Sequence, residues 1–252
     1  RRGFLDACWG GSVGMKTFWL LYKSEAKLSM REMSSVIFGI FVPVGIICLM
    51  AFMDPDNHSL NTNFVAVSTV GICSAGVMGL PLALSSYRER KILKRYQVTP
   101  ISPAQLLFAH LLFCFTISIV SMLLILGVLI TFFQFSYVGH WGQFISAYLL
   151  VMVSIHAIGL IVASLSPSEK ATGAINSAIF FPMFFLSGAT VPYEILPTGL
   201  QKVADVMPLT QGIKLLKAVT FHEETGIFFT ITLLVVITLI GLFVAIRYFR
   251  WE

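Results

Sequence analysis

The sequence predicts an all-α membrane protein: six transmembrane helices, an N-terminal interfacial amphipathic helix, and two short extracellular re-entrant helices before the last span. Three observations predict it. Hydrophobic residues fill 57% of the 252 positions and charged ones 12%, whereas a soluble domain carries ~25% charge. Apolar runs of the ~20 residues that a bilayer requires recur six times. Fourteen of the 17 Lys and Arg fall on one side of those runs, which makes that side cytoplasmic and places both chain ends there. The net charge of +5 thus follows membrane topology, and no nucleic-acid partner is implied.

The chain divides into residues 1–14 and a single transmembrane domain, residues 15–252. RRGFLDACWGGSVG precedes the first Met, Met15, and reads as an extension or tag remnant. GGSVGMKT resembles a phosphate-binding loop, but that motif needs Gly directly before the Lys and Met15 stands there. The chain therefore carries no ATP site and is not itself an enzyme. Its four cysteines show no CxxC pair and no metal-like spacing with His, so no metal, cofactor or disulfide is expected in it.

From Met15 to Met33 the residues Phe18, Trp19, Tyr22, Ala26, Met30 and Met33 form one apolar stripe, flanked by Lys16, Lys23, Lys27 and Arg31. Such a helix lies in the membrane surface. The six spans are then Ser34 to Phe52, Thr62 to Leu84, Ala104 to Phe133, Phe144 to Leu165, Ala171 to Val191 and Ile227 to Tyr248. Pro43 and Pro81 fall in the first two, where neighbouring helices must satisfy the carbonyls they free.

Between spans two and three lies the most strongly charged stretch, residues 87–103, YRERKILKRYQVTPISP. As a short helix it would set Arg88, Lys91 and Arg95 on one basic face beside Leu93 and Tyr96. A basic loop of this kind fixes topology without any partner; the sharper reading makes it a docking surface for a soluble protein.

Pro182, Pro192, Pro197 and Pro208 break the apolar character that runs from Ala171 to Val219, so one straight helix is excluded. Past Pro197, Leu200, Val203 and Met207 share a helical face; past Pro208, Leu209, Ile213 and Leu216 do so, with Gln211, Lys214 and Lys217 opposite. Two amphipathic helices within residues 187–220 fit this pattern, either dipping into the outer membrane surface or standing on it.

Within the spans, Asn176 and Ser177 either bond another helix or line a pathway. Phe180, Phe181, Phe184 and Phe185 give span five an aromatic surface suited to core, to lipid, or to an amphipathic cargo. His110 and His156 have no acidic partner within any span, so bonded neutral imidazoles compete with a functional role. The lack of buried Asp, Glu, Lys and Arg inside the spans disfavours an ion-coupled carrier. Gly71, Ala75 and Gly79 give span two a face for close helix packing, or for a dimer seam.

Taken together, RERKILKRYQVTPIS after span two and FLSGATVPYEILPTGLQKVADVMPLTQGIKLLKAV after span five resemble the membrane subunits of type-2 ATP-binding-cassette (ABC) exporters. Ser187, Gly188, Pro192, Pro197 and Pro208 stand where that family has its structural motif. The first motif departs from the family pattern at Lys91, Ile92 and Lys94.

The resemblance implies a permease forming half of a pathway in the plasma membrane, beside an identical or homologous second permease subunit. Two copies of a separate ATPase subunit would bind beneath, holding ATP and Mg and contacting Arg88, Glu89, Arg90, Leu93, Arg95 and Pro100. Asn176, Ser177, Phe181, Phe184 and Phe185 become candidate pathway residues for a hydrophobic or amphipathic drug, antimicrobial or lipid-like cargo. A polysaccharide exporter, a stand-alone carrier or channel, and a membrane enzyme or sensor subunit are the competing readings.

Overall fold

The computed structural model describes residues 11–32, 36–54, 59–92, 103–191, 193–222 and 226–248. All regular structure among them is helical. The amphipathic helix α1 spans Gly11–Glu32 and so begins before Met15. Helix α2 joins a π-helical turn, Ile37–Phe41, to Val42–Met53. Helix α3 runs through Leu60–Cys73, a second π-helical segment Ser74–Gly79, and Leu80–Glu89. There follow α4 (Pro103–Phe133), α5 (Trp141–Leu165), α6 (Glu169–Leu186), a short 3₁₀ turn (Tyr193–Ile195), α7 (Thr198–Val206), α8 (Pro208–Phe221) and α9 (Ile227–Tyr248).

Four of these, α3, α4, α5 and α9, are long and apolar enough to cross a membrane. Helices α2 and α6 occupy the places of the predicted first and fifth spans and are shorter, α6 having 18 residues. Helix α3 is the centre of the bundle, with 89% of its apolar stretch buried, and α9 its periphery, with 17%. Phe228, Phe229, Leu239 and Phe243 of α9 are exposed, as a lipid-facing helix requires.

Both span prolines sit just past a π-helical turn. Pro has no N–H to give, and a one-residue widening of the helix absorbs the missing bond without a break. In the wider register the acceptor that Pro81 leaves unserved is the Gly76 carbonyl. Gly159 of α5 packs directly on that oxygen, so closely that a methyl there would overlap it; its Cα–H makes the weak contact typical of small-residue helix crossings. The small-residue stripe of α3 therefore packs inside one chain: Gly71 lies against Ser121 and the Gly39 carbonyl. Several span hydroxyls turn back on their own helices, Ser85 to Pro81 O at 2.9 Å and Ser164 to Leu160 O at 2.7 Å, which is one way Ser and Thr are accommodated in apolar surroundings.

Near the start of α3, Phe64 stacks on Phe144 and meets Phe135, Tyr137 and Trp141. Helix α6 closes at Ser187, and Gly188 turns the chain with φ of 87°, a backbone state that Gly adopts without cost. Pro197 precedes α7 and Pro208 opens α8, where a missing N–H is harmless.

The two short helices depart from the predicted pattern in one respect each. On α8, Leu209, Ile213 and Leu216 are buried as expected, but Gln211 is buried too, accepting from Thr230 Oγ1 at 2.9 Å and donating to Asp205 O at 2.6 Å. Burial is tolerable because both ends of the amide are bonded. On α7, Leu200 and Val203 of the predicted face are exposed, while Met207 packs against the core.

A polar knot holds α7 to α8: Asp205 Oδ1 accepts from Tyr193 Oη and from Lys214 Nζ, each at 2.6 Å, and Lys214 lies over the Tyr193 ring at 4.4 Å. Lys214 first, then Tyr193, holds the Asp205 carboxyl below its usual range. A depressed carboxylate adds stability that is complete above the usual carboxylate range and disappears as pH falls through its folded value. Protease nicking of the 187–207 segment is therefore expected to rise below pH ~4, and Asp205→Asn to remove that rise by loosening the segment already at neutral pH.

Candidate functional site: the C-terminal end of α3

Three consecutive residues at the end of α3 fasten three different parts of the bundle. Tyr87 Oη donates to Glu25 Oε2 of α1 at 2.6 Å. Arg88 donates through both terminal nitrogens, to Ala163 O and Ser166 O, each at 2.8 Å. Glu89 Oε2 accepts from the Glu169 amide at 3.0 Å. The last two contacts match helix electrostatics: a guanidinium caps the carbonyl end of α5, and a carboxylate caps the amide end of α6. Ser168 adds its own side-chain cap, accepting from Ala171 N at 3.2 Å. The whole turn from α5 to α6 is thereby held against the start of the charged loop.

These contacts correct the predicted basic face. The α3 helix stops at Glu89, and Lys91 is left-handed with φ of 53°, so no helix continues through Arg88 and Lys91. Arg88 turns back into the bundle, while Arg90 and Lys91 are exposed. Leu93, Arg95 and Pro100 of the same motif, and Pro192 of the outer one, lie outside the described residues.

Glu25 is the residue that the sequence did not disclose. It is 5% exposed although Lys23 and Lys27 on either side are exposed. Its Oε2 also meets His110 Nδ1 at 2.8 Å, and His110 Nε2 faces Cys114 Sγ at 3.7 Å. Sequence reasoning sought an acidic partner for His110 within the spans; it comes from α1 instead. The available signal was an acid directly beside the apolar stripe, between Tyr22 and Ala26.

The candidate pathway residues fall on two faces of α6. Asn176 is buried and donates to Met78 O at 3.3 Å, bonding α6 to the π-helical segment of α3, and Ser177 turns back to Gly173 O at 2.9 Å. Phe184 stacks inward on buried Phe180, whereas Phe181 and Phe185 stack on each other and are 49% and 52% exposed. His156 is buried against Phe115, its Nδ1 bonded to Met152 O at 2.8 Å. Among the described residues no group of three or more His, Cys, Asp or Glu converges to hold a metal.

The family model for the ABC-2 type transporter matches residues 16–221. The chain belongs to the ABC-2 type transporter family. One relative is Nodulation protein J of Rhizobium leguminosarum bv. viciae, 30% identical over 81 residues. That alignment spans 31% of this chain and 31% of the relative. An ABC-2 membrane domain is a multi-pass permease, not itself catalytic, and normally works with an ATPase partner.

Proposed function

We propose that this ABC-2 chain is one of two permease subunits of an exporter in the plasma membrane, with six spans, cytoplasmic termini and the 87–103 loop as its seat on an ATPase subunit. Two ATPase copies bind ATP and Mg beneath the permease pair. One observation carries the reading: Tyr87, Arg88 and Glu89, the first residues of that loop, hold α1, α5 and α6 respectively. A push on the loop is delivered at once to most of the bundle. Alternating access needs such differential contacts between two states.

The exposed Phe181 and Phe185 pair on α6 supports a hydrophobic or amphipathic cargo, because an exposed pair of ring faces binds such a molecule by burial. Purification from native membranes is expected to bring down a Walker-motif ATPase. Arg90→Glu, at an exposed position, is expected to lower the ATPase rate of that complex by roughly fivefold or more. Transport by the isolated chain, driven by an ion gradient alone, contradicts the proposal.

A further inference from the structure

Helix α1 rests along α4. Phe18 meets Phe108, Tyr22 Oη donates to Thr116 Oγ1 at 3.0 Å, and Leu21 is buried in the same cluster. To α3 it is joined by one polar bond among those described, Tyr87 Oη to Glu25 Oε2. A carboxylate 5% exposed is costly unless bonded, and this one receives two donors on a single oxygen, Tyr87 at 2.6 Å and His110 at 2.8 Å. Short contacts to an ionised acceptor are the strong kind. His110 Nδ1 is assigned as the donor in the tautomer that places the proton on that nitrogen.

We propose that Glu25 is a positioning residue, a latch that fastens α1 to the ends of α3 and α4 so that a partner pressing on the 87–103 loop moves the amino-terminal helix with the spans. The inference rests on the coupling role of that loop. Apolar packing, on α4 and in the cluster that Leu21 shares with Leu80 and Leu84 of α3, keeps α1 on the bundle but fixes its register only weakly. A hydrogen-bonded charge between α1 and α3 is either made or broken, and it sits one residue before the Arg88 and Glu89 ties to the α5–α6 turn. The latch thus puts α1 in step with α6 through the end of α3.

Spin labels at Lys27→Cys on α1 and Lys170→Cys at the start of α6, both exposed positions, read this link. Cys8 and Cys48 are replaced by Ser, and the buried Cys73 and Cys114 stay. In the purified full-length permease the unsubstituted latch is expected to give one narrow distance distribution. Glu25→Gln and the milder Tyr87→Phe are expected to broaden it while the protein stays folded, because the α1–α4 packing is intact. The exchange Glu25→His with His110→Glu is expected to restore it. In the complex with the ATPase, both single variants are expected to reduce the ATP–vanadate-induced shift of the α1 label by about fivefold or more.

Distributions unchanged in both Glu25→Gln and Tyr87→Phe overturn the latch. Broadened distributions with a full ATP response overturn its role in coupling and leave the exporter assignment standing. A parent protein that retains no ATPase overturns the coupling half together with the proposed function, the latch itself being decided by the permease alone.

Discussion

Arg88→Glu is expected to unlatch the Glu89 end of α3 from the α5–α6 turn and to destabilise the protein. The substitution removes two charge-assisted hydrogen bonds to Ala163 O and Ser166 O and sets a carboxylate against the negative end of the α5 dipole. Arg88 is half-buried, so water recovers part of the loss. The remaining cost is about 3 kcal/mol, enough to matter against a stability of roughly 5–15 kcal/mol. The check is the unfolding midpoint of the detergent-solubilised protein together with protease cleavage at the 166–168 turn. A midpoint equal to that of the parent protein, with the turn still protected, shows that the guanidinium clamp carries no weight. Arg90→Glu is the matched comparison: an exposed residue two positions along, where stability is expected to hold and only the ATPase response to fall.

Gly159→Ala is the second large effect, and its sign is set against a control. The added methyl would overlap the Gly76 carbonyl, a backbone atom that cannot swing aside as a side chain does. Helices α3 and α5 must part, and overpacking of this kind costs up to about 3 kcal/mol. Gly173→Ala in α6 meets nothing within 4 Å, so there only helix propensity acts and the change stabilises by about 0.5–1 kcal/mol. Opposite shifts of the two unfolding midpoints are expected. If both glycines tolerate alanine equally, the close crossing of α3 and α5 is wrong.

How far the sequence discloses this molecule depends on the range of the interaction concerned. Apolar runs and the Lys and Arg asymmetry are local quantities, and they lead to an all-helical membrane bundle, to α4 within one residue of its start, and to a break between α7 and α8 at Pro208. Close packing along Gly71 and Ala75 was equally legible, because small residues at helical spacing have few other uses in a span. Side-chain direction was not. Arg88 and Arg90 are indistinguishable by type and spacing, yet one caps α5 and the other is exposed, and the difference is made by the α5 carbonyls some 75 residues away in sequence.

Glu25 escaped for the same reason. Beside Lys23 and Lys27 it reads as one more surface charge, and its burial is decided by His110 and Tyr87 from two other segments. Gln211, assigned to a polar outer face, was claimed instead by Thr230 of α9. In each case a long-range hydrogen bond overrode a correct local periodicity. At Pro43 and Pro81 the sequence shows only that a donor is missing and a carbonyl freed; the neighbouring helix decides that the backbone absorbs this as a π-helical turn.

The central claim is that a soluble ATPase grips the loop that begins at Tyr87. A photo-crosslinking residue at position 90, exposed at the mouth of that loop, tests it most directly in intact cells. The account predicts one crosslinked adduct containing an ATP-binding subunit, lost when ATPase and permease are expressed apart. Adducts to lipid alone, with no second polypeptide captured from position 90 while the protein is exporting, contradict it.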